Sequence, residues 1–431
     1  MMADPHLLSD AELLDRLQSA AFGYFLEEIN PANGLVADTT RKGSPASIAV
    51  VGFALSAYPV AVERGWMTHD EAVDRTLITL RFFSNSSQSA EPDATGYKGF
   101  YYHFLDMQSG KRVWQSELSL IDTALLLAGI LTAGAYFTDN TKSETEIREL
   151  ADALYRRVDW RWAQNRQAML SQGWKPECGF LHYGWEGGYN EAIILHVLAM
   201  ASPTHPITDS YQAWTATYQW ENLYGHDVLY AGPLFIHQFS HAWIDFRGIQ
   251  DRFMREKGSD YFENSRQATY IQREYALRNP HDFRDYGENS WGLSAGDGPG
   301  WQRLRMGGMD RRFFGYTARG APYGPDDGTI APSATVASIV FAPEMVLAAM
   351  RHFCEHYPEI FSEHRLPSGF NPTFTRDGSR CWVSEGCFGL DQGIVVLMIE
   401  NYRSQLIWKL MRQCPYIEAG LRNADCRGGW L

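Results

Sequence analysis

Residues 120–134 read LIDTALLLAGILTAG, and residues 394–399 read IVVLMI. Either stretch, as a helix, is apolar on nearly every side and has no face left for water. Such helices must be surrounded by others. The pattern of apolar positions, N-cap residues and breakers predicts about twelve helices, among them 10–29, 46–63, 69–84, 117–137, 143–159, 209–220, 233–245, 259–278, 333–350, 352–361 and 389–413. Thr68 with Glu71 makes a capping box for the third. Strand–helix alternation, which would imply a parallel sheet, is absent. So is a repeat of fixed period. Helices arrive in pairs joined by glycine- and aromatic-rich connections, and a ring of inner and outer helices accounts for this. A short hairpin is expected over 100–113, turning near Ser109-Gly110, and a long irregular region over 279–332. No linker divides the chain, so residues 1–431 are expected to form a single domain.

Composition narrows the function. The net charge of −13 opposes nucleic-acid binding, which needs a basic face. Fourteen Trp, 22 Tyr and 23 Phe, many beside glycine and charged residues, suit a cleft that stacks flat sugar rings. The six cysteines include no CxxC pair, so zinc spacings are missing; they fit free thiols or a disulfide or two. With no signal peptide visible at the start and no apolar run of spanning length, the expected location is cytoplasmic as the sequence stands, or periplasmic if a leader has been removed. No membrane insertion is expected.

The chemistry concentrates in WKPECGFLHYGWEGGYNEAIILHVLAMA, residues 174–201. Gly187 and Gly188 allow a close turn, Asn190 can cap a helix, and Glu191 falls on that helix's expected first turn. The helix dipole favours the charged form of Glu191, whereas burial against Trp185 and Tyr189 pushes it toward a proton donor. An exposed first-turn Glu that only supports its helix fits the stretch too. Glu117 and Asp122 are expected to open the core helix 117–137, with Asp122 on an otherwise apolar face. It is either a satisfied buried carboxylate or one with a chemical task. Asp391 repeats the pattern in FGLDQGIVVLMIENY, as an N-cap or a site residue. Two opposed carboxyls suit hydrolysis with inversion when roughly 6–9 Å apart and with retention at about 5 Å.

In FIHQFSHAWIDFRG, His237, His241 and Asp245 fall at i, i+4 and i+8, one face of the expected helix. Without an HExxH signature this reads as a polar stripe for substrate hydroxyls, or a satisfied network, ahead of a metal site. The loops YGENSWGLSAGDGPG and RRFFGYTARGAPYGPDDGTIAP read as a cleft rim. Glu288, Trp291, Asp297, Arg319, Tyr323 and Asp326 are candidate sugar contacts there, with loop scaffolding as the alternative. P-loop, GxSxG and dinucleotide fingerprints are absent.

Six longer strings carry a family resemblance: residues 98–129, 188–207, 229–249, 261–280, 320–332 and 391–412. Among them are GYNEAIILHVLAMASPTHPI and DQGIVVLMIENYRSQLIWKLMR. They strongly resemble the glucoamylase-like domain whose characterised members form glycoside hydrolase family 144, the bacterial β-1,2-glucanases. The resemblance implies an all-α (α/α)6 barrel, six inner and six outer helices, with short hairpins and long loops at the cleft end. It also implies cleavage of β-1,2-glucan or sophoro-oligosaccharides, endo or releasing sophorose, with inversion and with neither cofactor nor metal. The general acid falls on Glu191, and Asp122 and Asp391 are its catalytic companions. Glu117, Trp185, Tyr189, His237, His241, Glu288, Trp291, Arg319 and Tyr323 are the expected substrate contacts. Two other readings stay open: a retaining transglycosylase with Glu288 as nucleophile, and a glucan-binding protein without catalysis.

Overall fold

The computed structural model describes residues 8–165, 167–306, 308–361, 365–375 and 379–431. It contains two compact units. One comprises Phe25–Tyr218, Ala242–Tyr261 and Ser404–Leu431, and is called here the Glu191 unit. The other, the Asp391 unit, comprises the chain up to Tyr24 with Gln219–His241 and Phe262–Arg403.

The core of the Glu191 unit is the pair of apolar helices Ile48–Glu63 and Leu120–Tyr136. Every residue from Ile48 to Ala61 is buried, as the all-round apolar pattern requires. Their backbones touch: a Cβ on Gly129 would lie 2.0 Å from the Gly52 carbonyl oxygen, and one on Gly52 would lie 2.3 Å from that of Leu125. No side chain fits between them. Outside this pair, His69–Asn85 packs on Lys142–Arg156. The former begins with the expected capping box, Thr68 and Glu71 each bonding the other's backbone. Ile193–Ala201 lies on Pro415–Asn423, where Gly420 meets the Val197 carbonyl.

A five-stranded antiparallel sheet caps these helices, in the order Gly96–Tyr97, Phe100–Tyr102, Leu118–Ser119, Gly173–Lys175, Gly179–Phe180. The expected hairpin turn at Ser109-Gly110 is there, closed by a Leu105–Arg112 bridge and by Asp106, whose carboxylate accepts the Ser109 N–H at 2.8 Å. The helix expected from 117 begins instead at Leu120, because Leu118–Ser119 pairs into the sheet and Ser119 becomes the cap.

In the Asp391 unit, Gly389–Arg403 packs on Pro332–Ala337, with Ile394–Asn401 entirely buried. Gln18 secures this helix, its amide donating to the Val396 carbonyl at 3.0 Å and to Glu400 at 2.9 Å. The expected irregular region 279–332 contains strands. Ala295–Gly296 pairs with Thr317–Ala318, and between them rises the hairpin Gln302–Met306 and Met309–Phe313.

Four expected helices are interrupted. The stretch 333–350 breaks after Pro332–Ala337 into the 3-10 turn Ser338–Val340, and the next helix, opened by Pro343, runs on to His356 through the expected start at 352. The stretch 389–413 is two helices, because Gln405 (φ 62°) is left-handed before Leu406–Arg412 begins. Helix 209–220 shortens to Ser210–Thr215 before Trp220 enters a strand. Helix 233–245 divides into the 3-10 turn Leu234–His237 and the short helix Phe239–Trp243. His237, His241 and Asp245 therefore do not share one helical face. His237 Nε2 contacts the Ala231 backbone at 3.1 Å, and burial depresses its pKa to about 4. His241 Nε2 meets Ser265 Oγ at 3.0 Å. Asp245 pairs with Arg247 and Arg412; burial acts to raise its pKa, and the two guanidiniums hold it below the usual range.

Among the described residues the cysteines form no disulfide. Among the described residues no helix is long and apolar enough to cross a membrane.

Candidate active site

Local geometry fixes Glu191 before its helix, a correction to the expected first-turn position. The turn at Gly187 (φ 88°) and Gly188 (φ 97°) needs left-handed backbone, which glycine adopts without a steric penalty. Gly188 is pinned by Thr217 Oγ1, which accepts its N–H, and by the Trp214 indole, which donates to its carbonyl at 2.9 Å. Asn190 Oδ1 then accepts the Ala192 N–H at 3.1 Å, and the helix runs from Ile193 to Ala201. Glu191 stands in the turn between, half-buried.

Its carboxyl is pushed up to about 7. Desolvation is the main cause, opposed by a backbone hydrogen bond and reinforced by the negative charge of Asp122. A carboxyl of that kind carries its proton into the neutral range, which an ordinary Glu does not.

Asp122 sits on the first turn of Leu120–Tyr136, 8 % exposed. Ser119 caps that helix by accepting the Asp122 N–H, and its hydroxyl donates to Asp122 Oδ2 at 2.5 Å. The sheet brings in two more groups. Tyr102 pairs with Leu118, so the next cross-strand step places His103 opposite Glu117, and the His103 N–H donates to the Glu117 carbonyl at 2.9 Å. Side chains opposite each other on antiparallel strands share a face. His103 Nδ1 accordingly meets Glu117 Oε1 at 2.9 Å, while Nε2 faces Asp122 Oδ2 at 3.6 Å.

Burial lowers the affinity of His103 for its second proton, but Asp122, Glu117 and Asp38 outweigh it and raise the pKa to about 9. For Glu117, burial raises the pKa and the His103 hydrogen bond more than reverses that, leaving it lowered. The donor atoms of His103, Glu117 and Asp122 lie within 4.8 Å of one another, a spacing a cation could use. The two ring nitrogens face different carboxylates, however, which is the arrangement of an imidazolium between two anions.

Trp185 and Tyr189, expected to stack on sugar, are each only 6 % exposed. Tyr189 is parallel to Tyr261, with ring centroids 6.1 Å apart. The Trp185 indole N–H is buried without a hydrogen-bond partner among the described residues. Trp114, absent from the expected contacts, is 69 % exposed. It packs on Phe104 (5.2 Å), which stacks on His103 (3.9 Å). Trp114 and Gln115 both hold positive φ, 58° and 50°, a conformation that costs free energy for residues with a Cβ.

In the Asp391 unit, Asp391 lies on the first turn of its helix as expected and accepts a hydrogen bond from Ser333 Oγ at 2.9 Å. It lines a cleft of about 120 Å³ with Phe235, Phe239, Tyr316 and Phe388. The rim candidates divide. Tyr323 is exposed; Glu288 is exposed too and paired with Arg273. Trp291 is buried, its carbonyl accepting from Thr335 Oγ1. Arg319 is 1 % exposed and spends its guanidinium on Asp327 and on the carbonyls of Gly296, Asp297, Phe314 and Gly315. Asp297 accepts from Ser384, and Asp326 from Tyr275 and Tyr286. Arg319, Asp297 and Asp326 thus make bonds that brace the rim loops, His237 and His241 bond to the Ala231 backbone and to Ser265, and the buried Trp291 indole N–H has no hydrogen-bond partner among the described residues.

His103 escaped the sequence reading. The signal for it was there: FYYHF and SELS are short β-type runs whose pairing sets position 103 against 117.

These features define an all-α protein of the glucoamylase-like (α/α)6-barrel class, with an acidic site at the heads of core helices. Residues 182–415 match the family model described as "Putative glucoamylase", and the chain belongs to that family. A crystal structure of a putative glucoamylase from Bacteroides uniformis is 30 % identical, with TM-score 0.87, over 98 % of this chain and 99 % of its own. The endo-β-1,2-glucanase of Chitinophaga pinensis, solved with sophorotriose and glucose, is 27 % identical, with TM-score 0.84, over 98 % of this chain and 100 % of that one. The exo β-1,2-glucooligosaccharide sophorohydrolase (non-reducing end) of Parabacteroides distasonis is 27 % identical over 98 % of this chain. This chain spans 59 % of that relative's length. The family resemblance and fold class read from the sequence are thus borne out.

Proposed function

We propose that this chain is a glycoside hydrolase that cleaves β-1,2-glucosidic bonds of β-1,2-glucan or sophoro-oligosaccharides, with Glu191 as general acid and inversion at the anomeric carbon. What supports the chemistry is the Glu191 carboxyl in its turn ahead of Ile193–Ala201, which burial pushes up to about 7 with the charge of Asp122 adding to the rise. The substrate class follows from the two relatives named for β-1,2-linked glucans.

In this mechanism the glycosidic C1–O bond breaks as Glu191 gives its proton to the departing oxygen. A water oxygen bonds to C1 from the opposite face, and its proton goes to a carboxylate base. Asp122 and Asp391 are the two candidates for that base, directly or through a water or sugar hydroxyl. Retention through Glu288 is disfavoured by its exposed ion pair with Arg273, and loss of catalysis by the raised pKa of Glu191.

Incubation with linear β-1,2-, β-1,3- and β-1,4-glucans tests the reading. Release of sugar from β-1,2-glucan alone is expected, with NMR of the first-formed anomer showing α. Turnover of only the other two glucans would reject it. A ladder of oligomers marks endo action, and sophorose alone marks exo action.

A further inference from the structure

Trp301 and Tyr316 stand 71 % and 58 % exposed at the base of the hairpin Gln302–Met306 and Met309–Phe313. The backbone under them is tightly held. Gly300 N–H donates to the Phe314 carbonyl at 3.0 Å, Phe314 N–H donates to Asp327 Oδ2 at 2.9 Å, and Arg319 reaches the Gly315 carbonyl at 3.2 Å. Arg319 and Asp327 are themselves a buried ion pair. One step beyond the Gln302–Phe313 pair, Trp301 comes level with Phe314 and packs on its ring, edge to face at 5.3 Å. A Cβ on Gly315 would lie 2.9 Å from the Trp301 indole nitrogen, so the ring settles where glycine leaves room.

Tyr316 follows at once. Its ring lies 5.7 Å from that of Phe388, and both line the Asp391 cleft. By the measure on which one water takes about 10–15 Å³, a cleft of about 120 Å³ admits roughly ten non-hydrogen atoms, about one sugar ring. Further rings of a chain must leave it. Tyr316 lines the cleft and is yet largely exposed, so it stands at the mouth, with Trp301 packed against the residue before it.

Resting on the reading of the chain as a β-1,2-glucan hydrolase, we propose that Trp301 and Tyr316 form a sugar-stacking platform that carries a glucan chain on from the Asp391 cleft and sets the preference for longer chains. A pyranose offers apolar C–H faces to an aromatic ring and hydroxyls round its edge. Rings already fixed by their backbone lose little freedom on meeting it. The next pair on the Trp301 face of the hairpin, Arg303 opposite Arg312, is exposed and makes no ion pair among the described residues, which leaves its N–H donors for those hydroxyls. The other face is turned to the protein: Phe313 packs on Phe374, and Arg311 donates to the His281 and Asp282 carbonyls.

The test is KM on β-1,2-gluco-oligosaccharides of increasing length, from the trimer upward, for the wild-type chain, Trp301→Ala and Trp301→Phe. Wild-type KM should fall by about fivefold over the step at which the chain reaches Trp301, the size of one aromatic contact. Trp301→Ala should erase that step, and Trp301→Phe should keep most of it. A wild-type series without the step, or a step that Trp301→Ala leaves in place, overturns the proposal.

Indole N–H NMR gives a second readout that needs no turnover. In the Glu191→Gln chain, the Trp301 signal, assigned by its absence from a Trp301→Phe spectrum, should shift and saturate on titration with the long oligosaccharide. An unmoved signal overturns the proposal. A wild-type chain that cleaves no β-1,2-glucan removes the functional reading and this proposal with it. Intact cleavage without the length step removes this proposal alone.

Discussion

Ser119 and Asp122 hold each other at the head of a core helix: the serine hydroxyl accepts the Asp122 N–H at 3.2 Å and donates to Asp122 Oδ2. The carboxylate is thereby both oriented and charge-stabilised by its own cap. Ser119→Ala should cost about 1 kcal/mol of stability, read as a lower urea midpoint, because a cap and a buried hydrogen bond go together. Asp122→Asn removes the charge that helps raise Glu191. Whatever activity remains should have an alkaline limb at lower pH than the wild-type limb. An unmoved limb would separate the two carboxyls.

Glu191→Gln should lower kcat by roughly 10²–10⁴-fold or more while leaving KM near its wild-type value. The loss should shrink on an aryl glycoside whose leaving group needs no proton, if such a substrate is accepted. Stability gives a second readout. The folded pKa of Glu191 is raised to about 7 from an ordinary value of 4.5, so its proton-linked stabilisation is complete below about 4.5 and is lost as pH rises through 7. The Gln variant should therefore gain in Tm relative to wild type between pH 5 and 8. A constant difference across that range would show that the carboxyl is not raised.

Trp185 and Trp114 make opposite demands on a sugar. The buried Trp185 N–H lacks a hydrogen-bond partner among the described residues. Trp185→Phe keeps a ring and loses the donor, so it should leave stability unchanged or slightly raised, read by urea denaturation. A KM raised several-fold would show that a sugar reaches the indole. Trp114 offers an exposed ring held in left-handed backbone. Trp114→Ala should weaken binding of long oligosaccharides by on the order of 1 kcal/mol and leave short ones nearly unaffected. Equal effects on both chain lengths would place Trp114 outside the binding path.

Arg319 and Asp327 meet at 2.7 and 2.9 Å, with side chains 1 % and 0 % exposed. Asp327→Asn leaves an uncompensated buried guanidinium, and the expected cost is about 3–5 kcal/mol. Replacing both partners by apolar residues should cost less than the single change. Chemical denaturation of the two variants compares them directly.

The residues that were legible from sequence are those whose role is local. The all-round apolar helices, the Thr68–Glu71 box, the Gly187-Gly188 turn and the place of Asp122 and Asp391 on the first turn of their helices each announce themselves within a few positions. Roles that depend on distant pairing did not. His103 gains its meaning from a strand register with Glu117, fourteen residues on, and Arg319 from Asp327 and four carbonyls gathered by the rim loops. The His237–His241–Asp245 stripe failed for a related reason. Its i, i+4 spacing was real, but a 3-10 turn replaced the helix that would have aligned it.

The contact of Gly52 with Gly129 ties the placement of Asp122 to the spacing of two core helices. Asp122 and Gly129 are seven residues apart on one helix, about two turns. A methyl group at either glycine has no space, so the helices must part or tilt to admit it. Any tilt would be transmitted along a stiff rod to Asp122. Positions 52 and 129 thus act as a gauge block for a carboxyl neither of them touches. A side chain at either position would at once cost stability and displace that carboxyl.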